Sequence, residues 1–446
     1  MPLRRLWCLR HGIFSPAFCL LLALAPLTTS YVFWRDRFGG VEVNWGTVEL
    51  FATELLALAV IIIAVLFRRR SFPADRPVRS VMRASFALLV VTALSAFFSG
   101  DAGGWIPVVW LLLGCLLVWS VSVSFRLPVR SAAVALSAGG SLQSALALFQ
   151  FAVQRVTADK WLGVAEHLPY ASGTSVVETV GGRWLRAYGT LPHPNMLGTY
   201  LAIAALASLF LFLSVRGRRR LLAGLVAAVN VLGMGLTLSR SAFVGFLVGL
   251  AVLLAGHVLI AGRSGRRSVL LAVGLSLTVL LAVSVLLHEP LLTRITATGR
   301  LERISVESRL DQYGEAWSLV RLSPWFGVGP GRMPEATAYV LATHRNPWDY
   351  QPIHNLPILI LVETGIVGLV AWLALVLSLL RLGVRSVLRR AGHESILPLV
   401  LLMVLLTVGL FDHFVWSSWF GQLLFWSSSG LLLASVRAAV AKKIPS

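Results

Sequence analysis

Two membrane-length apolar runs stand back to back in residues 221–262, which read LLAGLVAAVNVLGMGLTLSRSAFVGFLVGLAVLLAGHVLIAG. Each run has the length of an α-helix, about 20 residues, that crosses a hydrocarbon core about 30 Å thick. A single charged residue, Arg240, separates the runs, and Ser239 and Ser241 flank it. The stretch therefore predicts a membrane hairpin of two helices with Arg240 at its tip.

The same pattern recurs along the whole chain of 446 residues. Hydrophobic residues make up 57% of the sequence and charged residues only 13%, whereas a soluble domain carries about 25% charged residues. This composition excludes an ordinary soluble protein and predicts an all-α polytopic membrane protein, with residues 1–446 forming a single integral membrane domain. About twelve transmembrane helices are expected, at Phe14–Phe33, Gly46–Phe67, Ala84–Ser99, Trp105–Ser124, Ala132–Val153, Asn195–Ser214, Leu221–Leu238, Ser241–Gly262, Val269–Leu287, Asn355–Leu380, Ile396–Phe411 and Phe420–Val440.

The charges between these runs indicate the orientation of the chain. Most of the 39 Lys and Arg residues fall on one side when connecting segments are assigned to alternate sides, among them Arg68–Arg70 and Lys442–Lys443. Cytoplasmic loops carry such an excess, so both termini are predicted to be cytoplasmic. The net charge of +20 is then a topology signal, and no nucleic-acid partner is expected. A cleaved signal peptide is the competing interpretation of the first 30 residues, but its removal would place Arg68–Arg70 on the wrong side.

Two long connecting segments fall on the extracytoplasmic side, residues 154–194 and 288–354. Binding and catalytic residues are expected there because loops carry them disproportionately. Within the second loop, Val306 to Leu322 has apolar residues at three- and four-residue spacing, which predicts an amphipathic helix on the membrane surface or over the bundle. The run GVGPG at 327–331 then predicts a tight turn.

Several polar residues stand at the extracytoplasmic ends of the predicted spans. Arg186 and Arg240 are suited to phosphate because a guanidinium stays charged and can donate two parallel hydrogen bonds. His354 stands before the tenth span, and His193 and Asn195 open the sixth, where they fit a helix start or a catalytic role equally well. Together these residues predict a site for a phosphate-bearing lipid.

Three carboxylates, Glu49, Glu54 and Glu363, fall inside predicted spans, where ionisable groups are costly unless they are paired or face water. They are the main argument for the alternative of a proton-coupled transporter or a flippase. The chain shows no internal repeat of the kind common in transporters. Glu363 lies more than two helical turns beyond His354, so it is expected only to support the site.

Four motifs in order resemble the O-antigen ligase and O-antigen polymerase family, which consists of bacterial polytopic membrane glycosyltransferases. They are Arg186-x-x-Gly189-Thr190-x-x-His193-Pro194-Asn195-x-Leu197-Gly198-x-Tyr200, Thr237-x-Ser239-Arg240-Ser241, Pro324-x-Phe326-Gly327-Val328-Gly329-Pro330-Gly331, and His354-Asn355 followed by Glu363-x-Gly365-Ile366-x-Gly368-Leu369.

The resemblance implies a GT-C-like enzyme of the bacterial cytoplasmic (inner) membrane, with its active site on the periplasmic or extracytoplasmic side. It would move a glycan from an undecaprenyl-pyrophosphate carrier to a glycolipid or glycan acceptor, as in lipopolysaccharide and other cell-envelope polysaccharide biosynthesis. By motif position, Arg186 and Arg240 would hold the pyrophosphate, and His354 would be the catalytic residue that activates the acceptor hydroxyl. Supporting roles are expected for His193, Asn195, Ser239, Ser241, Arg309, Asn355, Glu363, Asp412 and His413.

No cofactor and no metal are expected. The family uses none, and the sequence shows no outward Asp-x-Asp cluster of the kind that holds a divalent cation. A pyrophosphate is a good leaving group, so arginine charges and a base for the incoming hydroxyl suffice. Direct displacement would invert the anomeric centre. The motifs leave open ligation of a finished glycan, which we favour, and polymerisation of lipid-linked repeat units.

Overall fold

A computed structural model describes residues 2–66, 76–123, 129–296, 299–341, 345–389 and 392–441. The basic clusters Arg68–Arg70 and Lys442–Lys443, used above for orientation, lie outside the described residues. The helices are α1 Pro2–Leu24, α2 Ala52–Leu66, α3 Arg76–Ser99, α4 Trp105–Val123, α5 Val129–Val153, α6 Pro194–Ser214, α7 Arg218–Leu236, α8 Arg240–Ala261, α9 Arg266–Leu286, α10 His288–Thr296, α11 Arg300–Leu322, α12 Met333–Val340, α13 Leu356–Leu388, α14 Ile396–Gly409, α15 Phe414–Ser417 and α16 Trp419–Ala441. The strands are β1 Ser30–Phe38, β2 Val41–Phe51, β3 Val176–Thr179 and β4 Gly182–Leu185.

Eight helices of the described chain are long and apolar enough to cross a membrane, namely α3 to α9 and α13. The chain therefore has the mostly helical, multi-span structure expected of a polytopic membrane protein. The other four predicted spans fall on α1, α2, α14 and α16. The apolar part of α1, Ile13–Leu24, and the helices α2 and α14 are apolar but short. The count of twelve spans is therefore not confirmed, and the GT-C-like class stays a prediction.

A β-hairpin replaces the ends of the first two predicted spans, so the expectation of an all-α chain is wrong here. Strands β1 and β2 pair antiparallel, with Phe38 opposite Val41, so that Gly39 and Gly40 form the two-residue turn. Both glycines have positive φ, 57° and 82°, as the tight turns that suit a hairpin's twist require. β-branched and aromatic residues favour strands. At the outer ends of the hairpin they adjoin the apolar runs of α1 and α2, and the predicted spans therefore extend over them. A second hairpin, β3 with β4, lies in the first long loop.

The connecting segments meet at one end of the helix bundle, which we call the loop end; it comprises residues 25–51, 100–104, 154–193, 237–239, 287–296, 299–341, 345–355 and 410–418. The Phe38 ring of the first hairpin contacts Tyr339 and Tyr350 of the large loop, with centroids 5.3 and 5.6 Å apart. Thr28 donates a hydrogen bond to the Thr190 carbonyl (2.8 Å). The loops therefore form one assembly over the bundle.

Helix α6 lies in the middle of the bundle and is buried on all sides over most of its length. Ser208 on α6 donates to the Ser137 hydroxyl on α5 (2.9 Å), and Asn230 on α7 donates to the Ser208 hydroxyl (3.3 Å). Such hydrogen bonds hold membrane helices together where water offers no competing partner. The start of α6 is thereby fixed at the loop end.

Helix α13 is broken at Gly365, which has φ 68° and ψ −171°. The turn after α11 fills the break: the Ile366 N–H donates to the Pro324 carbonyl (2.8 Å), and the Gly329 N–H donates to the Glu363 carbonyl (3.0 Å). A Cβ on Gly365 would collide with the backbone of Trp325. Two of the four motifs, 324–331 and 363–369, therefore form one interlocked unit. The predicted amphipathic helix is present as α11, beginning at Arg300 rather than Val306.

Candidate functional site

A cavity of about 410 Å³ opens at the loop end, between the starts of α6, α8 and α13 and the loop helices α10 and α11. Its lining has an anion end, with three guanidinium groups, and a histidine end, with amide and imidazole groups. The anion end is formed by Arg240, Arg294 and Arg309, and the histidine end by Asn195, Gln312 and His354. Ser241, Val244, Val306, Leu310, Tyr313, Ile353, Leu410 and Phe411 complete the lining.

Arg240 lies at the anion end because it is the first residue of α8. Ser239 caps the helix by accepting from the Ala242 N–H (3.4 Å), and its hydroxyl lies 3.2 Å from that of Ser241. The Arg240 guanidinium donates to the Arg294 carbonyl (3.2 Å). A helix N-terminus also carries a partial positive charge. The predicted Ser-Arg-Ser element is therefore a capped helix start that presents a cation to the cavity.

Arg294 on α10 and Glu302 on α11 form an ion pair that the sequence analysis missed. One nitrogen of Arg294 donates to both Glu302 carboxylate oxygens at 2.7 Å, and the Glu302 side chain is only 3% exposed. A weak signal existed, since Arg294 interrupts the apolar run LLTRIT. Its partner comes from a different helix, and no spacing rule links the two.

Arg309 is the third cation of the anion end. It was predicted only as a supporting residue, and it lines the cavity. Its Nε is buried and has no hydrogen-bond partner among the described residues. Buried polar atoms are nearly always paired, so an unpaired donor at a cavity wall favours an anionic ligand there.

His354 lies at the histidine end, next to the start of α13. Asn355 caps this helix by accepting from the Ile358 N–H (3.1 Å), and Gln312 of α11 holds His354 through its side-chain oxygen, 3.1 Å from the His354 Nδ1. Burial lowers the pKa of His354 below its usual value, and His413 lowers it further, whereas the charge of Asp412 opposes this. The imidazole is therefore neutral at pH 7, which is the form that accepts a proton.

A chain of polar contacts lies behind His354. The His413 ring is 5.1 Å from the His354 ring, and its Nδ1 lies 2.6 Å from the Ser417 hydroxyl. Asp412 accepts from the Asn195 side-chain amide at 2.8 Å. Burial raises the pKa of Asp412, but the adjacent histidines and this hydrogen bond outweigh burial and lower it. Asp412 is therefore a charged residue beneath the histidine end.

Arg186 and His193 also lie behind the cavity wall. Arg186 is buried and donates to the Thr237 carbonyl (2.8 Å) and to the Asn195 side-chain oxygen (2.7 Å). It is not among the residues that line the cavity. His193 is the cap of α6 and accepts from the Asn195 N–H at 3.1 Å. Burial lowers the pKa of His193, and the charge of Arg186 lowers it further. Both residues therefore hold Asn195 and the start of α6.

The three carboxylates predicted inside spans are found in different surroundings. Glu49 lies in strand β2, and not inside a helical span, where it accepts from Ser30 at 2.6 Å. Glu54, near the start of α2, accepts from the Trp110 indole. Glu363 is fully buried beside the break in α13 and accepts from the Trp416 indole (2.8 Å). Glu363 thus lies away from the cavity and fixes the segment that carries His413.

Metal ligands are not clustered in the part of the chain that the structure describes: no group of three or more His, Cys, Asp or Glu side chains there could hold an ion. The residues that line the cavity combine guanidinium donors with one imidazole, that of His354, whose pKa is lowered. Such a set can bind a multiply charged anion and remove a proton from a hydroxyl a short distance away.

Residues 225–373 match the family described as O-antigen ligase. The match begins within α7 and ends within α13, so it includes Arg240, Arg309 and His354 but neither Arg186 nor Asp412. It confirms the resemblance predicted from the motifs and supports a membrane glycosyltransferase of the O-antigen ligase or polymerase type. A search of curated proteins found no match to the chain.

Proposed function

We propose that this chain is a metal-independent glycosyltransferase that moves a glycan from an undecaprenyl-pyrophosphate carrier to an acceptor hydroxyl, as an O-antigen ligase does. The supporting observation is a single cavity that carries three arginines at one end and a half-buried histidine at the other, within the segment that matches the family. We place this cavity at the outer face of a bacterial cytoplasmic membrane, with both chain termini in the cytoplasm.

The donor's pyrophosphate is assigned to the anion end. Arg240 and Arg309 line the cavity, and the unpaired Nε of Arg309 leaves a donor free for a phosphate oxygen. Charge-assisted hydrogen bonds of this kind are about twice as strong as neutral ones. The pyrophosphate contact predicted for Arg186 stays a prediction, since both of its described hydrogen bonds go to the protein. Its geometry favours a positioning role for Asn195.

The acceptor hydroxyl is assigned to the histidine end. With the Gln312 side-chain oxygen as the acceptor, the Nδ1 of His354 carries the proton and Nε2 is left as the base. His354 takes the hydroxyl proton as the acceptor oxygen bonds to the anomeric carbon. The bond from that carbon to the phosphate oxygen breaks, and its electron pair stays on the pyrophosphate. Displacement in one step inverts the anomeric centre.

The described residues weaken the alternative of a proton-coupled transporter. Of the three carboxylates that suggested a proton path, Glu49 lies in a hairpin of the loop end. One carboxylate oxygen of Glu54 and one of Glu363 accept hydrogen bonds from tryptophan indoles. These carboxylates therefore form no continuous polar route along the bundle.

The test is to incubate the purified protein in detergent with undecaprenyl-pyrophosphate-linked oligosaccharide, without metal, and to resolve the products by mass. Transfer to an added acceptor, with release of the carrier pyrophosphate and an inverted linkage, is the expected result. Products that grow by whole repeats on the carrier would identify a polymerase instead. Absence of any turnover, with His354→Ala indistinguishable from the wild type, would contradict the proposal.

A further inference from the structure

A buried carboxylate lies at the anion end, where an anionic ligand would be repelled by it. Glu302 is held by Arg294 through both oxygens, and it lies 4.0 Å from the Arg240 guanidinium. A carboxylate this buried is expensive unless it is paired. The pair could be purely structural, but Arg294 and Arg240 both line the cavity, so Glu302 acts on the charge that a ligand meets.

The charges at the anion end can be counted. Three guanidinium groups line it, and within the described residues Glu302 is the carboxylate that pairs with two of them, Arg294 and Arg240. The anion end therefore carries two net positive charges rather than three. Without Glu302, the two guanidiniums nearest to it would also lose the group that holds them in a common orientation.

The geometry points to Glu302 as a resident counter-ion that tunes this site to a doubly charged pyrophosphate diester and against more highly charged anions. This inference rests on the proposed function and assigns a specificity-determining role to a residue that touches the arginines and not the reacting atoms. Arg294 is correspondingly a third contact for the donor, held in place by Glu302.

The charge of the ligand changes during the proposed reaction. A glycan-linked pyrophosphate carries one negative charge on each phosphate. When the bond between the glycan and the phosphate oxygen breaks, the electron pair stays on that oxygen, and the terminal phosphate gains most of a further charge near pH 7, since its second pKa is about 6. A site with two net positive charges therefore matches the substrate better than the product, and Glu302 favours release of the spent carrier.

The experiment measures binding of inorganic pyrophosphate to the full-length protein in detergent by isothermal titration calorimetry. Glu302→Gln is expected to bind pyrophosphate about tenfold more tightly than the wild type, because one neutralising charge is removed from a partly buried site. Arg294→Gln is expected to bind it more weakly. The matched control is Glu307→Gln, an exposed acidic residue of the same helix, which should leave the affinity within about twofold.

If Glu302 were only a structural partner of Arg294, its loss would loosen the site and weaken pyrophosphate binding. Tighter binding by Glu302→Gln therefore distinguishes a counter-ion from a purely structural residue. Unchanged or weaker binding, in a variant that keeps its melting temperature, would overturn the inference.

If Glu302→Gln does not fold, the double variant Arg294→Gln/Glu302→Gln decides, since it leaves no unpaired charge and keeps two net positive charges. It should bind pyrophosphate more tightly than Arg294→Gln alone, because it lacks the repelling carboxylate, and equal or weaker binding would overturn the inference. A protein that binds as expected but transfers no glycan would contradict the proposed function alone.

Discussion

The two ends of the cavity are built differently. At the anion end, guanidiniums from α8, α10 and α11 meet, and the Arg240 side chain remains 37% exposed. At the histidine end, His354 and Asn195 stand at the starts of α13 and α6, and the side chains behind them are buried and hydrogen-bonded to one another. The anion end is an open cluster of like charges, whereas the histidine end is a fixed network.

Under the proposed function, this difference separates donor binding from the chemical step. A cluster of cations can accept an anion in several related poses, because each guanidinium offers five donors. A base must be held within hydrogen-bond reach of one proton, and the network behind His354 supplies that restraint. Substitutions at the anion end should therefore act mainly on donor affinity, and those at the histidine end mainly on turnover.

The sharpest test of this separation is His354→Ala. We expect kcat to fall at least about a hundredfold, since a general base contributes about 10² to 10⁴ to the rate, while donor binding stays within about twofold. Transfer assays and donor titrations would measure the two effects, with His288→Ala as the control at an exposed histidine of α10. If donor affinity falls as much as turnover does, the two ends do not have separate roles.

Arg240→Ala tests the anion end. We expect the donor KM to rise about 10- to 100-fold, because hydrogen bonds to a charged group contribute about 1.5–3 kcal/mol, while kcat changes little. Arg240→Lys should recover part of the loss, since an ammonium group cannot form the two parallel bonds of a guanidinium. Arg303→Ala, at an exposed position of α11, is the charge-matched control. Full recovery by lysine would show that charge alone is required.

The histidine end depends on the break in α13, which Gly365→Ala probes. The added Cβ would meet the Trp325 backbone, and the residue would keep a positive φ, so we expect a loss of about 1–3 kcal/mol in stability. A lower melting temperature in detergent would show it. Gly274→Ala in α9, where a Cβ meets open space, should leave the melting temperature unchanged or slightly raised. Equal melting temperatures for the two variants would mean that the interlock is dispensable.

The smallest expected effect is on the pH profile. Because burial lowers the pKa of His354, the base stays neutral in more acidic solution, and the acid limb of kcat should have its midpoint below 6.5, the ordinary value for histidine. Asp412→Asn removes a charge that raises this pKa, so it should move the limb to still lower pH. Rates measured from about pH 3 to 8 would show the direction of both shifts. A midpoint above 6.5 would mean that His354 is stabilised as a cation.

Hydrophobicity alone determined that the chain is a polytopic membrane protein, because spans of about 20 apolar residues have few alternative environments. Periodicity predicted most of α11. Polar caps and proline placed the starts of α6, α8 and α13 within one residue of Pro194, Arg240 and Leu356. Ordered motifs singled out His354 and Arg240, which line the same cavity. These features are encoded by neighbouring residues, so they can be read along the chain.

Only the tertiary structure decided the rest. The outer ends of the hairpin β1–β2 continue the apolar runs of the neighbouring helices, and the turn Gly39-Gly40 was its local mark. Three further features depend on contacts between segments that are distant in sequence or lie on different elements. They are the burial of Arg186 behind the cavity, the pairing of Arg294 with Glu302, and the insertion of 324–329 into the broken α13. Composition and spacing report which residues are available, whereas burial and pairing depend on which elements the packed bundle brings together.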